Sequence, residues 1–77
     1  MAEPTTRTIY VALLDEGTDV WRPVDAIDRG GGLFEIPVDT TVPEDETWQF
    51  APGSTIRCGF RQLSESGVVL VAEEGIA

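Results

Sequence analysis

The chain has 77 residues, 42% of them hydrophobic and 25% charged, which is enough for one small domain with one core. Fourteen acidic residues against five arginines give a formal net charge of -9, and the chain has no lysine, no histidine and one cysteine. This composition excludes histidine-dependent zinc sites, Ser-His-Asp triads, P-loops and an internal disulfide, and it lacks the basic surface of nonspecific nucleic-acid binding proteins.

The first third of the chain predicts a tail and then a strand. Residues 1–6 have no apolar pattern and include a proline, so we expect a disordered tail. Residues 8–14 are apolar on both alternating faces, as in a central strand or a barrel strand with one partly exposed face. A polar loop with a glycine follows at residues 15–19.

The next two strands form a predicted hairpin. Residues 20–27 contain Pro23, which cannot donate a ladder hydrogen bond, so this strand lies at an edge or has a bulge there. Arg22 falls among the inward positions and so breaks the alternation of apolar and polar residues. A bulge beside Pro23 would turn Arg22 outward. Three glycines at 30–32 mark the turn, and residues 33–38 form the third strand, with Phe34, Ile36 and Val38 on its apolar face.

The second half predicts a loop and another hairpin. Residues 39–55 are irregular, with one acidic turn after Pro43 and a very short strand at Trp48 and Phe50. Residues 54–63 form a strand with Ile56, Cys58 and Phe60 on one face. Residues 64–67 form a turn and residues 68–72 form the last strand, which a frayed end follows at residues 74–77. The pattern predicts one all-β domain at residues 7–73, a small barrel or a strongly bent sheet of five or six short antiparallel strands.

Two stretches carry a resemblance: LLDEGTDVWRPV at residues 13–24 and PEDETWQFAPGSTIRC at residues 43–58. They resemble a group of short bacterial proteins without an assigned activity, over roughly residues 10–72. An acidic loop that runs into a tryptophan-bearing strand is also loosely similar to SH3-like and Tudor-like barrels. This resemblance implies the fold class, and it assigns no ligand to any residue.

Trp21 is the first candidate binding residue. Alternation turns it away from Val20 and Val24, toward the outside of the barrel. An outward tryptophan beside acidic residues can stack on the arginine or lysine side chains of a basic peptide. The alternative is that Trp21 covers one end of the barrel and donates its N–H to a backbone carbonyl.

Charged side chains form two further candidates. Asp15, Glu16 and Asp19 lie around a glycine, but their spacing is not that of an EF-hand, so we expect a solvated acidic turn and no metal. Arg57 and Arg61 share one face of a strand with a glycine between them. They can receive a carboxylate or phosphate, or pair with acids of the neighbouring strands.

The sequence therefore favours a non-catalytic, cytoplasmic binding module that recognises a basic protein or peptide surface through the Trp21 strand and the acidic loops. Cys58 alternates with core residues and has no histidine to activate it, so we expect neither an enzyme nor a cofactor. Two alternatives are an acidic inhibitor or immunity-type protein that mimics nucleic-acid charge, and a self-associating structural accessory. No segment predicts direct nucleic-acid or membrane binding.

Overall fold

A computed structural model describes residues 5–17, 20–63 and 67–76, and it confirms the all-β class. These residues form five strands: β1 (Thr6–Ala12), β2 (Trp21–Gly30), β3 (Leu33–Glu35), β4 (Thr55–Leu63) and β5 (Gly67–Ile76). The strands close in chain order into a small barrel, consistent with the SH3-like architecture expected.

The barrel closes through one parallel pair, which corrects the expectation of a purely antiparallel sheet. Each strand is antiparallel to the one before it, from β1 to β5. Because the number of strands is odd, the first and last run in the same direction, and Tyr10 of β1 lies opposite Val71 of β5 in a parallel bridge.

The core lies inside the barrel, where the inward residues of every strand meet. On β1 the buried residues Ile9 and Val11 alternate with half-buried Tyr10 and Ala12, which confirms a barrel strand with one partly exposed face. The cluster of buried side chains comprises Ile9, Val11, Val24, Ala26, Phe34, Ile36, Trp48, Ile56, Cys58, Leu70 and Ala72. Burial of this apolar surface is the main stabilising contribution to the fold.

Pro23 lies on a free edge, as one of the two sequence interpretations predicted. Residues 21–26 of β2 pair only with β1, and Pro23 stands opposite Tyr10 in an unbroken register. The missing N–H therefore costs no ladder bond. The predicted bulge at Pro23 is wrong, because the register shift of β2 lies at Asp28 and Gly30, beside the glycine turn.

The third strand ends earlier than predicted, and the connection after it folds back onto the barrel. Ile36 exchanges backbone hydrogen bonds with Gly53 and Ser54, at 2.7 and 3.0 Å, and Pro37 then begins a turn. Val38 is consequently 77% exposed instead of inward. The predicted strand at Trp48 and Phe50 is reduced to one bridge between Trp48 and Leu13.

Both ends of the domain extend beyond the predicted bounds. Thr6 already pairs with Ile27, and Thr5 accepts a hydrogen bond from the backbone N–H of Asp28 at 2.8 Å, so these two residues do not belong to a tail. Residues 74–76, expected to fray, continue β5, where Ile76 lies opposite Thr55. Residues 1–4, 64–66 and 77 of the predicted tail, turn and end lie outside the described residues.

The distal part of the β4–β5 hairpin extends past the barrel wall. Phe60 was expected to be inward with Cys58, but it is 66% exposed whereas Cys58 is 8% exposed. The reason is that β3 pairs with β4 only as far as Arg57, with one further hydrogen bond from Cys58 to Gly32. Beyond that point no described residue of β3 pairs with β4.

Candidate binding groove beside Trp21

Trp21 lies on the outside of the barrel, half-buried, as the first residue of β2. It pairs with Ala12 of β1, and it shares the outward face with the exposed residues Pro23 and Asp25. It does not belong to the buried core cluster. Trp21 is therefore partly open to solvent.

A guanidinium group already lies over the Trp21 ring. The Cζ atom of Arg61, on β4, is 5.8 Å from the ring centroid. Two residues separated by forty positions along the chain thus meet because the barrel brings β2 and β4 to the same outer surface. A cation–π contact at a site of this exposure contributes about 0.5–1 kcal/mol.

A carboxylate lies next to this pair because Gly59 leaves room for it. A Cβ atom placed on Gly59 would be 2.6 Å from Oε1 of Glu73 and 3.0 Å from its Cδ. The side chain of Glu73 therefore crosses the backbone of β4 where that strand has no side chain. A glycine at this position allows a close approach that any larger residue would hinder.

These side chains line a groove with a volume of about 410 Å³, which we call the Trp21 groove. Its lining combines an aromatic ring, one cation, one anion and an amide with two small residues: Ala12, Trp21, Gln49, Arg61, Ala72 and Glu73. In the part of the chain that the structure describes, neither Arg61 nor Glu73 forms an ion pair. The groove can therefore offer both a carboxylate and an aromatic face to a bound cation.

Among the five sequence-proposed residues that the structure describes, two meet in the groove. Trp21 and Arg61 meet in the groove, whereas Arg57 is exposed on β4 opposite Glu74, without an ion pair among the described residues. Among the described residues neither arginine forms an ion pair with an acid, and the Arg61 guanidinium lies over the Trp21 ring.

Two acids of the turn after β1, Asp15 and Glu16, precede Trp21 in sequence and are not among the residues that line the groove. Asp15 and Glu16 are exposed, and Asp15 has a φ of 62°, which an aspartate in a turn tolerates. Asp19, the third acid of this group, lies outside the described residues. The described residues contain no cluster of three or more acidic or cysteine side chains that could hold a metal ion.

A second tryptophan belongs to a closed cluster at the end of the barrel. Arg22 Nε donates to Glu46 Oε1 at 3.0 Å, and Arg22 Nη2 donates to the other carboxylate oxygen. Trp48, 9% exposed, donates its Nε1–H to Glu46 Oε1 at 2.9 Å. Arg22, anomalous in the sequence, thus pairs with a carboxylate from the loop while its side chain stays 44% exposed.

Hydrogen bonding sets the ionisation of this closed cluster. The hydrogen bond from Arg22, followed by that from Trp48, lowers the pKa of Glu46, and the same contact raises the pKa of Arg22. A second groove of about 400 Å³ lies over the cluster, between β2 and residues 40–43. Among the charged residues that line it, Arg22 is paired with Glu46 and Asp25 has no ion pair among the described residues, so this second groove offers a ligand one unpaired charge where the Trp21 groove offers two.

Cys58 is buried in the core, as expected from its alternation with Ile56. Burial, with a smaller contribution from the negative charge of Glu73, raises the pKa of the Cys58 thiol to about 11. A thiol of this kind is almost entirely protonated at neutral pH and is a poor nucleophile.

Glu73 and Gln49 are groove residues that the sequence interpretation missed. Glu73 stood at the predicted end of the domain, next to a supposed frayed end, and Gln49 stood in the irregular loop. Gly59 was the available signal, because a strand glycine between two arginines indicates a close approach. The sequence could not identify Glu73 as the group that approaches it.

Among the described residues there is no helix of the length and apolarity that crossing a membrane requires. No protein-family model matches the chain, and no curated protein and no solved structure matches it. The resemblance to short bacterial proteins therefore stays a prediction, and the functional argument rests on the geometry of the Trp21 groove.

Proposed function

We propose that the protein is a small non-catalytic binding module that takes a basic segment of a protein partner into the Trp21 groove. The observation that carries this proposal is the combination, in one open groove, of a half-buried tryptophan and a carboxylate without an ion pair among the described residues. A guanidinium or ammonium group can stack on the ring and pair with Glu73 at the same time.

Two further features support a basic partner. The Trp21 ring already accepts one guanidinium, that of Arg61, so its position suits such a group. The net charge of -9, with Asp15 and Glu16 exposed shortly before Trp21, attracts cationic segments and speeds their encounter. When the partner binds, one of its arginines takes the place of the Arg61 guanidinium on the Trp21 ring, so Arg61 is a placeholder for the ligand.

The test is a titration with a defined probe, an N-acetylated and amidated tetra-arginine peptide, measured by isothermal calorimetry. The same peptide with citrulline in place of arginine keeps the shape and removes the charge. The proposal predicts heat of binding with the arginine peptide and none with the citrulline peptide. No binding of the arginine peptide at low salt contradicts the proposal.

Matched variants locate the site. Trp21→Ala is expected to weaken binding about tenfold, because stacking on an aromatic anchor is lost. Glu73→Gln is expected to weaken it several-fold, and Glu74→Gln, which removes the same charge from the neighbouring residue outside the groove lining, is the control. Equal losses in Glu73→Gln and Glu74→Gln, with a steep dependence on salt, would favour charge mimicry instead.

A further inference from the structure

The backbone groups of β2 alternate between the two edges of the strand. The N–H of Asp28 donates to the C=O of Thr5 at 2.8 Å. Just before β2, the C=O of Val20 accepts from the N–H of Leu13 at 2.9 Å. Both contacts fit one continuous register with β1, so the even-numbered residues from 20 to 28 form its hydrogen bonds. The odd-numbered residues therefore direct their N–H and C=O groups to the opposite edge.

The strand β3 covers only the far end of this second edge. Its pairing with β2 ends where Glu35 lies opposite Ile27, and the chain then turns away at Pro37. Among the described residues, no backbone hydrogen bond of residues 21–26 runs to this side. Pro23 interrupts the row of donors, which keeps long strands from pairing here but leaves room for a short segment. The groups without a strand partner are the N–H and C=O of Trp21, the C=O of Pro23, and the N–H and C=O of Asp25.

The second groove, of about 400 Å³, runs along this edge, between β2 and residues 40–43. It therefore lies beside β2 where a longer β3 would have run. Its volume is within the range of about 300–1,000 Å³ that is usual for ligand sites. Val24, Pro43 and Trp48 give it apolar surface, and the exposed side chain of Asp25 stands on the outward face of the strand.

The charge of this groove is negative. Arg22 is paired with Glu46, so its charge is compensated. Asp25 accepts one hydrogen bond, from the hydroxyl of Thr8 at 3.3 Å, and is the one charged lining residue without an ion pair in the described part of the chain. With a net charge of -9 on the whole chain, an occupant that carries a cation beside Asp25 is complementary.

We propose that this groove binds an extended segment of a partner protein, which adds to the edge of β2 as a further strand and places an arginine or lysine beside Asp25. The segment exchanges main-chain hydrogen bonds with Trp21 and Asp25 and donates one to the C=O of Pro23. Because side chains alternate along a strand, the residue next to the cation faces Val24 and Trp48 and is apolar. The recognised pattern is an apolar residue beside a basic one. This site is separate from the Trp21 groove and does not depend on the function proposed above.

A second copy of this chain suits the edge less well than a basic partner does. Pairing between the β2 edges of two copies would bring in a second Pro23, which has no N–H to donate. It would also bring a second Asp25 carboxylate into the contact between two chains of net charge -9. A basic segment supplies the donors and the counter-charge that such a copy lacks.

The experiment is a calorimetric titration with an N-acetylated and amidated pentapeptide, Thr-Val-Arg-Val-Thr, up to about 1 mM. The same peptide with every backbone N–H methylated keeps the side chains and the charge but donates no main-chain hydrogen bond. The proposal predicts that the unmodified peptide binds and the methylated peptide does not. Equal binding of both peptides, or binding of neither, overturns it. Weaker peptide binding at higher protein concentration would show that a second copy takes the edge, which also overturns it.

Matched variants separate this site from the Trp21 groove. Asp25→Asn is expected to weaken binding of the pentapeptide about three- to tenfold. Asp15→Asn removes the same charge from an exposed turn that lines neither groove and is expected to leave it unchanged. Trp21→Ala keeps the backbone groups of the edge, so it should bind the pentapeptide within about twofold of the wild type. Loss of binding in Trp21→Ala, or equal losses in the two aspartate variants, would contradict the assignment to the β2 edge.

Amide hydrogen exchange gives a readout of the strand addition itself. The N–H of Asp25 faces the free edge, whereas the N–H of Val24 is already bonded to β1, so the two neighbours form an internal control. At saturating pentapeptide, exchange at Asp25 is expected to slow about tenfold while exchange at Val24 changes less. Unchanged exchange at Asp25 in the bound protein overturns the proposal. Because this edge does not use Glu73, its failure would leave the binding of the tetra-arginine peptide to the Trp21 groove unaffected.

Discussion

Two clusters of this protein contain the same three residue types but differ in burial and in the pairing of their polar groups. The closed cluster consists of Trp48, Arg22 and Glu46, with the tryptophan buried and the ions joined by hydrogen bonds. The Trp21 groove contains Trp21, Arg61 and Glu73, with a half-buried ring, a stacked guanidinium and no ion pair among the described residues.

The two clusters differ because their β2 residues, Trp21 and Arg22, point to opposite sides of the strand. Trp21 and Arg22 are adjacent, so strand alternation directs them to opposite sides of the barrel wall. Arg22 meets the loop that closes the barrel end, and its guanidinium fits the Glu46 carboxylate in a two-point contact. Trp21 faces an open surface. Residue type alone therefore does not separate the closed cluster from the proposed binding groove, whereas the pairing of the polar groups does.

The largest expected effect of a substitution separates the two tryptophans by stability. Trp48→Ala removes a buried aromatic side chain and is expected to lower the free energy of unfolding by about 3–5 kcal/mol. Trp21→Ala removes a half-buried ring and a cation–π contact, for about 1–2 kcal/mol. Urea unfolding of both variants checks this order, and equal losses would remove the distinction between a structural and a binding tryptophan.

Acid is expected to destabilise the closed cluster selectively. The pKa of Glu46 is lowered in the folded state from its ordinary value of 4.5, so its contribution to stability is fully present above that value and is lost as pH falls through the folded pKa. Glu46→Gln should be less stable than the wild type at neutral pH and lose less stability on acidification. Unfolding midpoints between about pH 7 and pH 3 measure this, with Glu74→Gln as the exposed control.

A substitution of Arg61 tests whether its guanidinium occupies the position of the ligand on the Trp21 ring. Arg61→Gln frees the Trp21 ring and removes a like charge, so it should raise the affinity for the arginine peptide by about two- to fivefold. Titration calorimetry against the wild type measures the change. Weaker binding by Arg61→Gln would mean that Arg61 helps to hold the ligand and is not its placeholder.

The smallest expected effect comes from Gly59→Ala. The new Cβ atom meets the carboxylate of Glu73, which can swing away, so the stability should change by less than about 1 kcal/mol. The displaced carboxylate should nevertheless weaken binding of the arginine peptide, although the net charge is unchanged. Unaltered affinity in a folded Gly59→Ala variant would show that the position of Glu73 does not matter.

Strand alternation was sufficient to predict the barrel and much of its core. Val24 and Phe34, on the faces of β2 and β3 that were expected to be inward, are buried, and on β1, where both faces are apolar, Ile9 and Val11 are the buried residues. Alternation failed at Phe60 and Val38, because it identifies the face of a residue but not whether another element covers that face. At Phe60 the neighbouring strand had ended, and at Val38 a proline had turned the chain.

The candidate site was less predictable because it depends on contacts between distant segments. The outward direction of Trp21 follows from local pattern, and the structure agrees with it. The stacking of Arg61 on its ring and the approach of Glu73 to Gly59 require the closed barrel, which no local pattern specifies. The partner of Arg22 was likewise in an irregular loop, so the residue looked anomalous until Glu46 was seen beside it.

The most direct test of the central claim uses the two indole N–H signals of the chain in a ¹⁵N-correlated NMR spectrum, during titration with the arginine peptide. The account predicts that the Trp21 signal shifts progressively while the Trp48 signal, held by Glu46 inside the closed cluster, stays in place. Trp21→Ala identifies the two signals. A shift of the Trp48 signal alone, or of neither signal at peptide concentrations that saturate binding, would contradict the assignment of the Trp21 groove as the binding site.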